Sequence, residues 1–223
     1  MSDEVKLDIR QTCIYGSALN QNPFDVWKTL GDKIIFYKIK KIKCQLKDKK
    51  IVGLQCFYQS IDDLSLKPII DVKNNSNDLT ELEYELINED IVEMRVWLDE
   101  NVMLKAFEIK TNKGNVKKFG YGEDKELIRI SDLEAGDQII VGFGCYTDGN
   151  VVTAIFADYI SKKDYVFFLL SGLFCLKYKL KNPDFKKNVD NKLKSMNEKN
   201  KLLYRVCLLP DNQYFNIIKY VIA

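Results

Sequence analysis

The chain has 223 residues, 46% of them apolar, which is enough to bury a core and excludes wholesale disorder. It has no histidine, so Ser-His-Asp and Cys-His catalysis and every His-containing metal site are excluded. The formal net charge of +2 is unevenly placed: residues 1–160 hold 21 Lys/Arg and 27 Asp/Glu, residues 161–223 hold 13 and 5.

The N-terminus, MSDEVKLDIR, is charged and has no apolar segment of the secretory type. The expectation is a cytoplasmic protein whose six scattered cysteines stay reduced and mostly buried. Thr12 to Tyr15 starts a first strand, and Gly16-Ser17 opens a polar loop that runs to Pro23. Ile42, Cys44 and Leu46 alternate with lysines and a glutamine, and after the turn Lys47–Lys50 so do Val52, Leu54, Cys56 and Tyr58. Two period-two runs around a short polar turn predict a hairpin. Gln59 to Asp78 reads as loop-like, with one short irregular strand.

Leu82, Tyr84 and Leu86 form the next strand, and Val92, Met94, Val96 and Leu98 the one after, with Glu93, Arg95 and Trp97 on the opposite face. Phe107, Ile109 and Thr111 alternate with Ala106, Glu108 and Lys110 up to the turn Asn112–Asn115, where Asn and Gly tolerate positive φ. Gly120 and Gly122 flank Tyr121 and mark a second bend. Ile128–Ile130 is a short strand. Ile139-Ile140-Val141 leads into Gly142-Phe143-Gly144, Asp148-Gly149-Asn150 turns the chain, and Val151–Phe156 returns. About ten strand signals and no convincing helix between residues 14 and 160 predict an all-β sandwich, barrel or prism.

The tail differs. Tyr165–Leu176 is uncharged but short of the ~20 residues a membrane-spanning helix needs, so a buried helix or strand is expected and no transmembrane span. Asn182-Pro183-Asp184 starts a helix. Phe185, Val189, Leu193 and Met196 lie on one stripe of it, a candidate partner-binding face that packs on the chain's own body or on a partner. An acidic body with a basic tail points to an anionic surface facing the tail, or to lysines that keep an exposed face soluble.

Phe107, Thr111 and Asn112, then Gly120 and Gly122, then Val141-Gly142-Phe143, then Gly149 and Ala154-Ile155, form in this order and spacing a pattern that resembles the jacalin-related lectin family. The resemblance covers roughly Ile14 to Ile160. It implies a jacalin-like β-prism of three four-stranded sheets at 14–160; residues 161–223, by their own composition, form a basic and apolar C-terminal extension containing helix. It also implies a carbohydrate site where the first loop meets the last: Gly16 and Ser17 with Gly149, Asn150, Val151 and Thr153. Sugar-binding members read Gly-x-x-x-Asp in the last loop, where backbone N–H groups and the Asp hold the sugar. Thr153 stands at the Asp position here, and a hydroxyl lacks the two charged acceptor oxygens of a carboxylate.

No phosphate loop, dinucleotide fingerprint or calcium loop is present, and no carboxylate pair stands out among the 32 Asp and Glu. A non-enzyme is therefore expected, with no cofactor and no metal. Lys177–Lys201 interleaves Tyr178 and Phe185 but is far from an RNP-like motif, so nucleic acid is not an expected partner. Two functional readings follow. One is a structural or interaction subunit of a larger protein assembly, with a degenerate sugar site, favoured by Thr153 and the tail. The other is a soluble carbohydrate-binding lectin that uses the loops at Gly16 and Gly149, favoured by the family likeness.

Overall fold

A computed structural model describes residues 8–18, 23–31, 34, 37–60, 66–122, 127–130, 137–166, 177–178, 180–184, 186–187, 190, 206–210 and 213–214. The chain divides into two compact units, Met1–Lys162 and Lys163–Ala223. The first contains β1 (Arg10–Gln11), β2 (Tyr15–Gly16), β3 (Phe24–Asp25), helix α1 (Val26–Leu30), β4 (Tyr37–Lys47), β5 (Lys50–Ser60), β6 (Leu66–Val72), β7 (Thr80–Glu85), β8 (Ile91–Leu98), β9 (Leu104–Thr111), β10 (Val116–Gly120), β11 (Leu127–Ile130), β12 (Gln138–Thr147) and β13 (Val152–Ser161).

Three long antiparallel hairpins, β4–β5, β8–β9 and β12–β13, each gain a flanking strand on both sides. β6-β5-β4-β7 is a four-stranded sheet. The other strands are linked into a nine-stranded sheet made of two groups: β10-β9-β8-β11, and β13-β12 flanked by β3 and by β1 and β2 end to end. A single residue pair, Ile140 with Ile91, joins the two groups. The expected three groups of strands are present, two of four strands and one of five because β1 and β2 share an edge of β13, and two of the groups are stitched together at that pair.

The hairpins share one register. Between two irregularities each pairs five consecutive residues: Gly142–Tyr146 with Ala154–Asp158, Glu93–Trp97 with Ala106–Lys110, and Lys41–Gln45 with Gly53–Phe57. At the turn end the ladder skips Thr153, Lys105 and Val52, which are therefore equivalent positions. A bulge bends a strand and raises its twist, so the same bulge used three times curves three sheets alike.

The register also explains the core. Phe143, Cys145, Ile155 and Ala157 are at most 1% exposed, and so are their equivalents Met94, Val96, Phe107 and Ile109, and Ile42, Cys44, Leu54 and Cys56. Each hairpin thus contributes four inward side chains to one apolar centre, where burial stabilises by roughly 25 cal/mol per Å². Burial raises the thiols of Cys44 and Cys145 to about 12 and that of Cys56 well above its usual value, so they stay protonated and inert. Cys207 is also buried and Cys13 is exposed; Cys175 lies outside the described residues.

Three local expectations change. α1 interrupts a region expected to lack helix. It is five residues long, too short for a periodic apolar face, and its signal is the N-cap Asp25, whose side chain accepts from the Lys28 N–H. The stretch expected to be loop-like holds the seven-residue β6, where Pro68 is tolerated on an edge strand. Trp97, placed on the outer face by alternation, is only 2% exposed because Gly122 packs on its ring.

In the second unit, residues 163–166 and 177–178 are helical, and a further helical segment begins at Pro183, where the Asn182 side chain accepts from the Asp184 N–H at 2.9 Å, as an N-cap does. Lys177 is buried, donates to the Cys207 and Leu209 carbonyls, and lies 4.6 Å from the Tyr214 ring centroid. Phe185, Val189, Leu193 and Met196 lie outside the described residues, as does most of Tyr165–Leu176. No described helix is long and apolar enough to cross a membrane.

Candidate functional site

The end of β2 and the start of β13 lie side by side, Gly16 opposite Ala154. Gly16 has φ 117°, and a Cβ there would sit 2.3 Å from the Thr153 carbonyl oxygen, so only glycine fits. Ser17 then donates its N–H to the Thr153 carbonyl at 3.2 Å, and Thr153 Oγ1 donates to the Ser17 carbonyl at 2.8 Å. The first loop is thereby tied to the last hairpin. Of the six residues singled out from sequence, the structure joins Gly16, Ser17 and Thr153 directly and carries Gly149, Asn150 and Val151 on the adjoining turn between β12 and β13. Thr153 is 1% exposed and its hydroxyl points inward, whereas Gly149 and Asn150 are exposed.

The turn is held from within. Asp148 Oδ1 accepts from the Asn150 N–H at 2.8 Å and the Val151 N–H at 2.9 Å, and Thr147 Oγ1 accepts from the Gly149 N–H at 3.0 Å. Three backbone donors that the family likeness assigns to a sugar therefore have partners inside the turn.

No protein-family model matches the chain, and none of the curated proteins matches it in sequence. Solved structures do match. The agglutinin of Calystegia sepium is 17% identical, with 69% of this chain and 97% of that one covered and a TM-score of 0.52. Artocarpin, described as a lectin with mannose specificity, is 19% identical, with 67% and 96% covered and a TM-score of 0.50. A mannose-specific jacalin-related lectin from Morus nigra is 19% identical, with 72% and 99% covered and a TM-score of 0.49. The first two carry the comparison, and at such identities they show a shared fold.

The chain has a jacalin-like β-prism fold.

On this prism the loop end offers polar groups that point outward. Asp148 is exposed, and hydrogen bonds from the Val151 and Asn150 N–H groups, with a further contribution from the Lys50 ammonium, hold its carboxyl below the usual carboxylate range. It is therefore charged at neutral pH, and its Oδ2 has no hydrogen-bond partner among the described residues. The Asn150 amide and the Ser17 hydroxyl are likewise without a partner among the described residues. A carboxylate oxygen, an amide and a hydroxyl at one loop end can accept from and donate to a polyhydroxylated ligand. Asp148 is outside the sequence-derived set because taking it, rather than Thr153, as the Asp of the Gly-x-x-x-Asp loop shifts that loop by five residues; its exposed charge follows only from seeing which of its oxygens the turn uses. Among the described residues no cluster of His, Cys, Asp or Glu could hold a metal ion.

Proposed function

We propose that this chain is a carbohydrate-binding protein that takes a hydroxyl-rich ligand at the loop end formed by Gly16–Ser17 and Asp148–Val151. The reading rests on the reciprocal Ser17–Thr153 hydrogen bonds, which fix the first loop beside the last hairpin turn on a jacalin-like prism. Artocarpin, which shares the fold, is a lectin with mannose specificity. The mode of binding departs from the one the family likeness implies: Asp148 Oδ2, the Asn150 amide and the Ser17 hydroxyl replace the backbone amides and the Asp of the Gly-x-x-x-Asp loop.

A glycan array probed with the full chain, followed by titration of the strongest glycan into Asp148→Ala and Asn150→Ala, tests this. The expected result is binding that weakens about tenfold or more in each variant, the effect of losing a charge-assisted or a well-placed neutral hydrogen bond. A blank array, or binding that neither variant alters, overturns it.

A second reading has its own support. The inward Thr153 hydroxyl and the internally satisfied turn fit a prism that no longer holds sugar and serves as an interaction subunit, with residues 161–223 docking on other protein subunits. Under that reading the array is blank and the full chain enters an oligomer or complex that deletion of the extension abolishes.

A further inference from the structure

Asp158 ties the N-terminal elements to the last hairpin. β1 and β2 pair with β13, β3 pairs with β12, and α1 packs on β12, so all four attach to this one hairpin. Each of the three short strands is held by two residue pairs, against seven or more within each long hairpin. Ladders this short open at a lower free energy than the core does. The groups that reinforce them converge on one carboxyl. On β1, Gln11 lies opposite Asp158 in register, and its Nε2 donates to Asp158 Oδ1 at 3.1 Å. On α1, the Trp27 N–H donates to the same carboxyl. Next to it, the Thr12 N–H donates to the Ala157 carbonyl at 2.9 Å, and the Ala157 N–H donates to Thr12 Oγ1 at 3.0 Å.

This carboxyl sits where a charge is poorly tolerated. Asp158 is fully buried. A Cβ on Gly142 would lie 2.9 Å from Asp158 Oδ2 and 2.8 Å from Ile34 Cδ1, so Oδ2 lies against β12 and a fully buried isoleucine. The titratable groups that face it are themselves acids: buried Asp25, the N-cap of α1, and fully buried Tyr58 on β5. The Tyr58 hydroxyl is pushed well above its usual value by burial, then by Cys56, Asp158 and Asp25. Neither Asp158 nor Asp25 is paired with a cation among the described residues. Two neutral donors, the Gln11 amide and the Trp27 N–H, are all that offset an ionised Asp158. Burial raises its carboxyl to about 7, with Asp25 adding to the rise and the two donors opposing it. When the N-terminal elements lift, water reaches Asp158 and its pKa returns to about 3.9. The proton therefore favours the attached state. That contribution is fully present below about pH 4, falls as pH rises, and is lost above about 7. The same elements carry Gly16 and Ser17, whose contacts with Thr153 fix the first loop at the proposed carbohydrate site.

We infer that Asp158 is a pH-sensitive latch: its proton keeps the N-terminal elements on the β12–β13 hairpin, and its ionisation beside Asp25 loosens them together with the Gly16–Ser17 half of the proposed site. The effect on ligand binding rests on the proposed carbohydrate-binding function; the latch itself does not.

Native-state hydrogen exchange of the full chain, read by NMR at pH 5, 7 and 9 with and without low denaturant, tests it. After correction for intrinsic exchange, the Thr12, Ser17 and Ala157 amides should exchange through an opening that denaturant does not promote. They should be less protected than the Ile42, Cys44 and Leu54 amides of the β4–β5 hairpin. The opening constant should rise about fiftyfold from pH 5 to pH 7 and only about twofold from pH 7 to pH 9. In Asp158→Asn it should be the same at all three. A glycan present at about ten times its Kd should suppress the opening about tenfold. Exchange of these amides only through global unfolding, or a local opening that does not vary with pH, overturns the latch on the parent chain alone, even if Asp158→Asn fails to fold. A pH dependence retained in a folded Asp158→Asn also overturns it. A pH-dependent opening that a bound glycan leaves unchanged keeps the latch and overturns its coupling to the site. A pH-dependent opening in a chain whose glycan array is blank keeps the latch and removes the carbohydrate-binding function.

Discussion

Thr153 Oγ1 donates to the Ser17 carbonyl at 2.8 Å, and the Ser17 N–H answers with a bond to the Thr153 carbonyl at 3.2 Å. Thr153→Val keeps the shape and removes one of these bonds, so it should lower stability by about 1 kcal/mol in urea denaturation, while Thr153→Ser stays close to the parent. Thr153→Asp restores the residue of the Gly-x-x-x-Asp pattern but forces a carboxylate against that carbonyl in a buried site. It should destabilise by about 3 kcal/mol and fail to improve glycan binding. A stable Thr153→Asp chain with higher affinity would show that the position faces the ligand.

The glycines separate strain from collision. Gly16→Ala and Gly120→Ala combine positive φ with a backbone clash and should each lower stability by about 3 kcal/mol. Gly114 and Gly149 also have positive φ, 82° and 94°, but a Cβ there meets nothing within 4 Å. Their alanine variants should lose about 1 kcal/mol. Equal losses at all four positions would mean that dihedral strain alone decides.

Asp158 should make the fold sensitive to pH. Its side chain is fully buried; Oδ1 accepts from Gln11 Nε2 at 3.1 Å, and Oδ2 has no hydrogen-bond partner among the described residues. Burial raises its carboxyl to about 7; the Gln11 bond opposes this, neighbouring Asp25 adds to it, and the Trp27 N–H opposes it. A carboxyl whose folded pKa is raised binds its proton more tightly when folded. Its contribution is therefore fully present below about 4, falls as pH rises, and is lost above about 7. The change is of the order of 4 kcal/mol across that window. Asp158→Asn should flatten this part of the stability–pH curve and make the variant the more stable protein at pH 8, as read from thermal midpoints across the range. A parent whose stability climbs from pH 5 to pH 8 through this group would contradict the assignment.

The turn between β4 and β5 is strained. Asp48 and Lys49 both have positive φ, 49° and 63°, in a two-residue hairpin connection. Lys49→Gly should raise stability by about 1 kcal/mol, since glycine reaches this conformation without the Cβ clash. The thermal midpoint of the single variant is sufficient to check it.

The hairpins were legible in sequence because each inward run alternates cleanly: Ile42 and Cys44, Leu54 and Cys56, Phe107 and Ile109 are all buried as the pattern requires. Trp97 was not, because its cover comes from Gly122 and Lys118, which belong to a neighbouring strand and its loop. The internal repeat was also hidden. Thr153, Lys105 and Val52 occupy one position, but a bulge constrains backbone rather than side-chain chemistry, so three unlike residues serve it. The candidate site was half legible. Gly16 and Gly149 announce tight backbone, whereas the inward turn of Thr153 and the outward oxygen of Asp148 depend on hydrogen bonds that no spacing encodes.

One consequence of the common register concerns transplantation. The Asp48-Lys49 connection joins Lys47 to Lys50 in a hairpin whose paired run matches those of the other two. Either longer turn can therefore be grafted there without moving a single paired residue of the receiving strands. Under the proposed carbohydrate-binding function, a chain that carries the Asp148–Val151 turn a second time at this connection would bind clustered ligands by avidity, while its core stays untouched.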